Sequence, residues 1–214
     1  MFANPIRIEI DGFGVTLRPL RKNEMEHIAE LFASMEVLRY TNMVYAPTVQ
    51  GEEEWWEKAS KEPNTAIWGI VPDGEDTAVG VTGLHQINAI NLSCTSGIII
   101  GDRKWWHKGV AYRAHLARTW YAANTLNRYT IQSQVRTKNA YSLKALLKVG
   151  YRVSGRFDCN CFHDGVFCDT WVLSWVNPYK VNVLYPNGVP KELQPSLDKA
   201  KQALNFAPQA VKFL

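Results

Sequence analysis

The sequence predicts an α/β fold built on a mixed, mostly antiparallel and splayed sheet flanked by helices, and three observations carry that prediction. Short β-branched runs alternate with runs of helical spacing, an order that asks for one sheet with helices packed against it. The segment Ser96-Gly97-Ile98-Ile99-Ile100-Gly101, bounded by glycines, passes through Trp105-Trp106-His107-Lys108-Gly109 into an alanine-rich run. It reads as a buried strand that turns into a helix. Further on, two apolar runs flank His163-Asp164-Gly165, and Asp-Gly favours the tight turn of a hairpin.

Val15 to Leu20 is the first expected strand, with polar Arg18 between apolar neighbours. Lys22 to Met35 and Gly51 to Lys61 space their apolar residues as amphipathic helices. Ala66 to Val71 and Ala78 to Ile87 are strands around the turn Pro72-Asp73-Gly74. After the glycine-bounded strand, a helix is expected from Ala111 to Asn124, with Leu116 and Trp120 at helical spacing, and then a strand from Tyr129 to Val135. Asn139 is a good cap for a run whose Leu143, Leu146 and Leu147 share a face, and Gly150 suits the left-handed position that stops a helix. Arg152 to Phe162 and Val166 to Trp175 make the hairpin. Beyond Val176 the chain becomes rich in proline and asparagine, then offers one short helix from Ser196 to Asn205. The expected organisation is a domain over residues 1–176 and an extension over 177–214 that packs on the domain or on a second subunit. Val183, Leu184, Tyr185, Phe206 and Phe213 would be costly to leave in water.

A strand that turns through a glycine into a helix leaves the first N–H groups of that helix unpaired at the positive end of its dipole, a geometry that binds phosphate. Here the pattern WWHKGVA, followed downstream by NAYSLKALLKVGY, resembles the GNAT superfamily of acyl-coenzyme A-dependent N-acyltransferases. More narrowly it is similar to the branch that includes the ribosomal-protein alanine acetyltransferases. In that branch the loop usually reads W-G-K-G-x-A/G-x-E-A, and the second motif N-x-x-S leads into a short helix and K-x-G-F/Y. This chain supplies Trp106, Lys108, Gly109, Ala111 and Ala114 for the first motif, then Asn139, Ser142, Lys148, Gly150 and Tyr151 for the second. The likeness spans roughly residues 14 to 176.

The resemblance implies transfer of an acetyl group from acetyl-coenzyme A (acetyl-CoA) to a primary amine by direct attack in a ternary complex. The acceptor is a protein N-terminus, a polyamine or a small-molecule amine. Backbone groups of His107, Lys108, Gly109, Val110 and Ala111 are expected to hold the pyrophosphate, with Trp106 in the loop and charge from Lys104 and Lys108. Ile98, Ile99 and Ile100 would offer their backbone to the pantetheine arm as an added strand does. Asn139 contacts that arm in the family, caps a helix here, or does both.

For catalysis, many superfamily members place a tyrosine seven residues after the motif asparagine, where this chain has Leu146. Ser142 is the candidate acid for the leaving thiolate, the alternative being a first-turn serine bonded to the helix backbone. His85 is the candidate base, since imidazole suits proton abstraction near neutral pH. Its alternatives are a merely structural strand histidine, or a water chain that removes the proton. Asp102 is expected to fix the loop. Arg113 and His107 depart from the glutamate and glycine of related loops. Because the usual tyrosine and glutamate are missing, the alternative reading is a non-catalytic coenzyme A-binding sensor or scaffold.

Tyr40, Tyr45, Trp55, Trp56 and Trp68 fall in segments that line the acceptor pocket of relatives, although Trp55 and Trp56 read better as packing. Glu52 to Glu54 read as a solvated helix start. Cys159, Cys161 and His163 alternate along one strand, and the turn brings Cys168 opposite Cys161. That pattern is either a zinc or redox cluster or a set of small buried hydrophobes, and the second is expected, with no metal. The formal net charge of +4 is slight and dispersed, which argues against nucleic acid. No apolar run nears the roughly 20 residues of a membrane span, and no signal pattern opens the chain. The expectation is therefore a cytoplasmic protein without a membrane or nucleic-acid partner, with a homodimer left open.

Overall fold

Alternation of isoleucine with charge starts the sheet earlier than the sequence reading places it. A computed structural model describes residues 1–214. Ile6, Ile8 and Ile10 alternate with Arg7 and Glu9 in β1 (Ile6–Ile10), and Asp11 and Gly12, both at positive φ, turn the chain back into β2 (Phe13–Arg18). The expected helix from Lys22 to Met35 is broken into a 3-10 turn at Lys22–Glu24, α1 (Met25–Phe32) and α2 (Met35–Leu38). Glu24 explains the first break. Its carboxylate accepts from the Arg18 guanidinium at 2.6 and 2.8 Å and from the N–H groups of Arg21 and Ala78, which pins the turn to the sheet. Extended backbone at Ser34 makes the second.

Then follow α3 (Val49–Lys61), capped by the Thr48 hydroxyl, β3 (Ala66–Pro72), β4 (Gly80–Asn88), β5 (Ser93–Ile100), α4 (Val110–Asn124), β6 (Thr130–Arg136) and α5 (Ala140–Lys148). The chain closes with β7 (Arg152–His163), β8 (Val166–Val176), α6 (Val181–Leu184), α7 (Gln194–Ala210) and β9 (Val211–Phe213). The nine strands run in the order β7-β8-β6-β5-β4-β3-β2-β1-β9. Every neighbouring pair is antiparallel except β5 and β6. Those two pair only from Ser93 opposite Thr130 to Ser96 opposite Ser133. Since β5 continues to Ile100 and β6 to Arg136, the sheet parts there.

Each face of the sheet has its own core. Leu116 and Ala117 of α4, Leu146 of α5 and Ala200 and Leu204 of α7 cover one face, while Met25, Ile28 and Phe32 of α1 pack with Ile67 and Ala59 on the other. Residues beyond Val176 are thus part of the main core, and β9 extends the sheet beside β1. Burying Leu197 and Leu204 contributes about 2 kcal/mol each. Gly150, at φ +95, lets α7 approach, because a Cβ there would lie 2.5 Å from the Ala200 backbone. No helix is long and apolar enough to cross a membrane.

The cysteine pattern needs correction. The β7–β8 register slips between Phe157 and Cys161, and Cys159 sits at φ +49 with its N–H on the Asp169 carboxylate at 2.8 Å. A bulge of this kind breaks the two-residue alternation, so Cys159 is exposed while Cys161 is buried. Cys161 does oppose Cys168, with 5.3 Å between Cα atoms, but the two are joined as a disulfide rather than packed as separate small hydrophobes. Only Cys94 is a buried free thiol, and burial raises its pKa to about 11.

Candidate active site

The loop before α4 is built by its side chains and leaves its backbone free. Asp102 accepts the Lys104 N–H at 3.0 Å and starts a 3-10 turn at Arg103–Trp105. Trp106 donates its indole N–H to the Ile100 carbonyl at 2.8 Å and packs into the core beneath α1, while Trp105 stacks on Phe13 and donates to Glu75. Both tryptophans anchor the loop. His107 and Gly109 stand at φ +62 and +77. The first position explains why related loops hold glycine there, since left-handed backbone costs a side chain about 1 kcal/mol. At Gly109 a Cβ would also meet Arg113 Nη1 at 2.7 Å.

None of the backbone N–H groups from His107 to Tyr112 has a partner within the protein; the first bond of α4 runs from Arg113 to the Gly109 carbonyl. No acidic side chain stands in the first turn of α4. A run of free N–H groups at the positive end of a 15-residue helix fits a pyrophosphate. Arg113 braces this end by donating to the carbonyls of Ile10, Phe13 and Gly109 at 2.7, 3.1 and 3.3 Å. Lys104, expected from sequence to add charge for the cofactor, is paired with Glu75 at 2.9 Å and Asp102 at 3.2 Å. Lys108 lies over the Trp105 ring and forms no ion pair.

Beside the loop, Ile98, Ile99 and Ile100 are half-buried, and with β6 parted from them one edge of their backbone lacks a strand partner. Such an edge accepts an extended amide chain. Across the opening, Asn139 Oδ1 accepts the Ser142 N–H at 3.1 Å and so caps α5. The Asn139 amide N–H groups and the half-buried Ser142 hydroxyl make no bond within the protein. The backbone-bonded serine considered from sequence is therefore absent. Leu146 is 1% exposed within the core, so that position presents nothing to the site. Tyr141 turns toward the loop, its ring tilted against that of His107.

Register defines the opposite side. His85 and Gln132 both lie opposite Thr95 on β5, so the three side chains share one sheet face, and Gln134 and Arg136 follow at the strand period. The other row, Leu84–Ser96–Ser133, faces α4, where the Ser96 hydroxyl meets the Tyr151 hydroxyl at 3.3 Å. His85 is half-buried, lies over Gly83 and makes no side-chain hydrogen bond. Burial, then the nearby Arg118 charge and the chain's N-terminal ammonium, hold its pKa below the ordinary imidazole value. Tyr40 and Arg136 line two adjoining pockets on this face, one completed by Arg39 and Lys138 and the other by Gln134 and Thr170. Trp55 and Trp56 pack in the core instead, Tyr45 points to solvent, and Trp68 is buried with its N–H on the Asn4 carbonyl. Glu52 is buried in α3 and its pKa is raised by that burial, unlike the solvated residue expected.

Sequence reasoning missed Arg118 and His115. Arg118 is fully buried in α4 and donates to the Gly97 carbonyl and the Thr82 hydroxyl, each at 2.6 Å, and to His115 Nδ1 at 2.8 Å. Gly97 is the first residue past the last β5–β6 pair, so Arg118 fixes the strand where the sheet opens. Two basic residues three apart on the alanine-lined side of that helix were the available signal.

Comparison with known proteins agrees with this geometry. The acetyltransferase (GNAT) domain model matches residues 15–152. Spermidine N(1)-acetyltransferase of Escherichia coli (strain K12) is 24% identical over 153 residues, which cover 72% of this chain and 81% of that protein. Among solved structures, the Vibrio cholerae spermidine N-acetyltransferase in complex with CoA and spermine superimposes with a TM-score of 0.68 at 21% identity, covering 76% of this chain and 95% of that one. A GNAT-family acetyltransferase from Bacillus anthracis gives a TM-score of 0.65 at 18% identity, covering 79% and 98%. The relatives whose substrate is named are spermidine N-acetyltransferases rather than ribosomal-protein alanine acetyltransferases, so the narrower branch suggested by the motifs is withdrawn to the superfamily. The matched region takes in the parted strands, the free N–H run before α4 and the Asn139 cap, and the chain belongs to the GNAT family of acetyltransferases.

Proposed function

We propose that this protein is an acetyl-CoA-dependent N-acetyltransferase that forms a ternary complex and transfers directly to a primary amine. The run of unbonded N–H groups from His107 to Tyr112, beside the parted β5–β6 edge, carries this reading. Bound there, acetyl-CoA supplies an activated thioester, whose C–S bond breaks as the amine nitrogen forms the new C–N bond. His85, kept neutral and lying on the open face, takes the proton that the amine must lose. Ser142, with its hydroxyl unbonded, gives a proton toward the departing sulfur directly or through water. Asn139 orients the donor's amide arm with its free N–H groups while its oxygen caps α5.

The experiment is release of free coenzyme A thiol from acetyl-CoA against an amine panel that contains polyamines, amino acids and peptides. Turnover that depends on one acceptor class supports the proposal. Tight coenzyme A binding without turnover on any member would support the sensor or scaffold reading. Failure to bind coenzyme A would overturn both.

A further inference from the structure

We propose that the acceptor amine carries an anionic group, a carboxylate or a phosphate, held by Arg136 at the end of β6 with Lys138 and Arg39 beside it. This rests on the acetyltransferase reading and names its acceptor class. Of two adjoining pockets that share Tyr40 and Arg136, one takes in Gln134, one residue beyond the last β5–β6 pair, on the face that carries His85. It therefore opens where an amine must approach the thioester.

The charge of the pair is one-sided. Arg39, Arg136 and Lys138 line the second pocket, and Asp164, 3.6 Å from Arg39, is the one carboxylate among the lining residues of either. Lys138 forms no ion pair, and the buried Nε of Arg39 has no partner. Arg136 is half-buried and donates only to uncharged oxygens, the Thr170 hydroxyl at 2.8 Å, the Thr41 carbonyl at 3.4 Å and the Asn42 side-chain oxygen. These three bonds fix the guanidinium plane without meeting its charge. Burial without a counter-ion also lowers its pKa. A guanidinium oriented by neutral oxygens and left unpaired is suited to an incoming carboxylate or phosphate, which it engages through two parallel bonds.

The same arrangement selects against polyamines. Spermidine is a polycation and would meet three like charges against one carboxylate that is already matched. The acceptor of the named relatives is thus the wrong sign for this pocket. Lys138 directly precedes Asn139, the cap of α5, so the basic cluster adjoins the helix that carries Ser142.

The test compares amines that differ only in charge: glycylglycine with glycylglycinamide, and O-phosphoethanolamine with ethanolamine, with spermidine as the polycation. Two quantities are read for each, kcat/KM for coenzyme A release and calorimetric affinity for the coenzyme A-bound protein. The anionic member of at least one pair is expected to win by about tenfold or more, with spermidine last. Whichever pair responds names the anion. Arg136→Gln should erase that preference through KM while coenzyme A affinity stays as in the wild type. Lys138→Gln, at an exposed side chain without bonds, should reduce the preference with no change in melting temperature. Spermidine or the neutral partners binding as well as the anionic amines would overturn the proposal, as would a preference that survives Arg136→Gln. If coenzyme A binds but no amine turns over, the transferase reading fails, and the calorimetric ranking still decides this one.

Discussion

The imidazole of His107 and the phenol of Tyr141 meet with ring centroids 4.0 Å apart and planes tilted by 59°, tying the loop before α4 to the first turn of α5. Both residues are exposed, so the contact serves neither core. It joins the two segments that flank the proposed coenzyme A groove and holds one against the other before any ligand arrives. Such a contact is worth about 0.5–1.5 kcal/mol beyond area burial. Tyr141→Ala is expected to weaken coenzyme A binding by about two- to tenfold. The rate at saturating donor should hold, since neither ring is assigned a chemical step. A dissociation constant equal to wild type would show that the ring contact does not organise the groove.

Ser142→Ala separates chemistry from structure unusually well. The wild-type hydroxyl makes no bond within the protein, so its loss leaves no orphaned partner and should leave the melting temperature in place. If the hydroxyl protonates the leaving sulfur, kcat falls by about 100-fold with coenzyme A affinity nearly unchanged. An unaltered kcat removes Ser142 from the mechanism.

His85 predicts a pH profile. A base acts in its neutral form, and burial with the neighbouring positive charges holds this imidazole's pKa below its ordinary value of about 6.5. The acid limb of kcat/KM should therefore fall below that value, with activity retained at pH 6.5 and lost on further acidification. His85→Gln should lower the rate and abolish that limb. A variant that keeps the wild-type profile would return proton removal to water.

How much of this was legible in the sequence follows from where the signals lie. The strand–glycine–helix turn and the Asn139 cap were readable because local backbone geometry demands those residues, and Gly109 and Asn139 carry it. The Lys104–Glu75 pair was not legible, because Glu75 lies on another turn far along the chain. The break at Glu24 was hidden for the same reason, since Arg18 and Ala78 reach it from two strands. The hairpin turn was legible in Asp164-Gly165, whereas the bulge at Cys159 was not, because Asp169 holds it from the facing strand. Nothing in the sequence singled out Arg136, because the loop after α2 places Thr41 and Asn42 around it from far along the chain.

The buried pair His115–Arg118 makes the stability of the whole fold depend on pH. Arg118 donates to His115 Nδ1 at 2.8 Å, so the neutral ring carries its proton on Nε2, which is buried without a partner. A second proton would place a cation beside a buried guanidinium. Burial first, and Arg118 second, hold the His115 pKa well below its ordinary value. The unfolded chain binds this proton near pH 6.5 while the folded protein refuses it. Stability is therefore full above about pH 6.5 and declines as pH falls below it, by up to about 1.4 kcal/mol per unit, until the depressed folded pKa is reached. His85, shifted the same way, adds to the decline over the same range. Urea denaturation at pH 7, 6 and 5 should show this slope. His115→Gln, which keeps an acceptor for Arg118, should be less stable than wild type at pH 7 yet lose about one proton's worth of slope between pH 6.5 and 5. Equal slopes in the two proteins would mean that His115 is not the group that titrates.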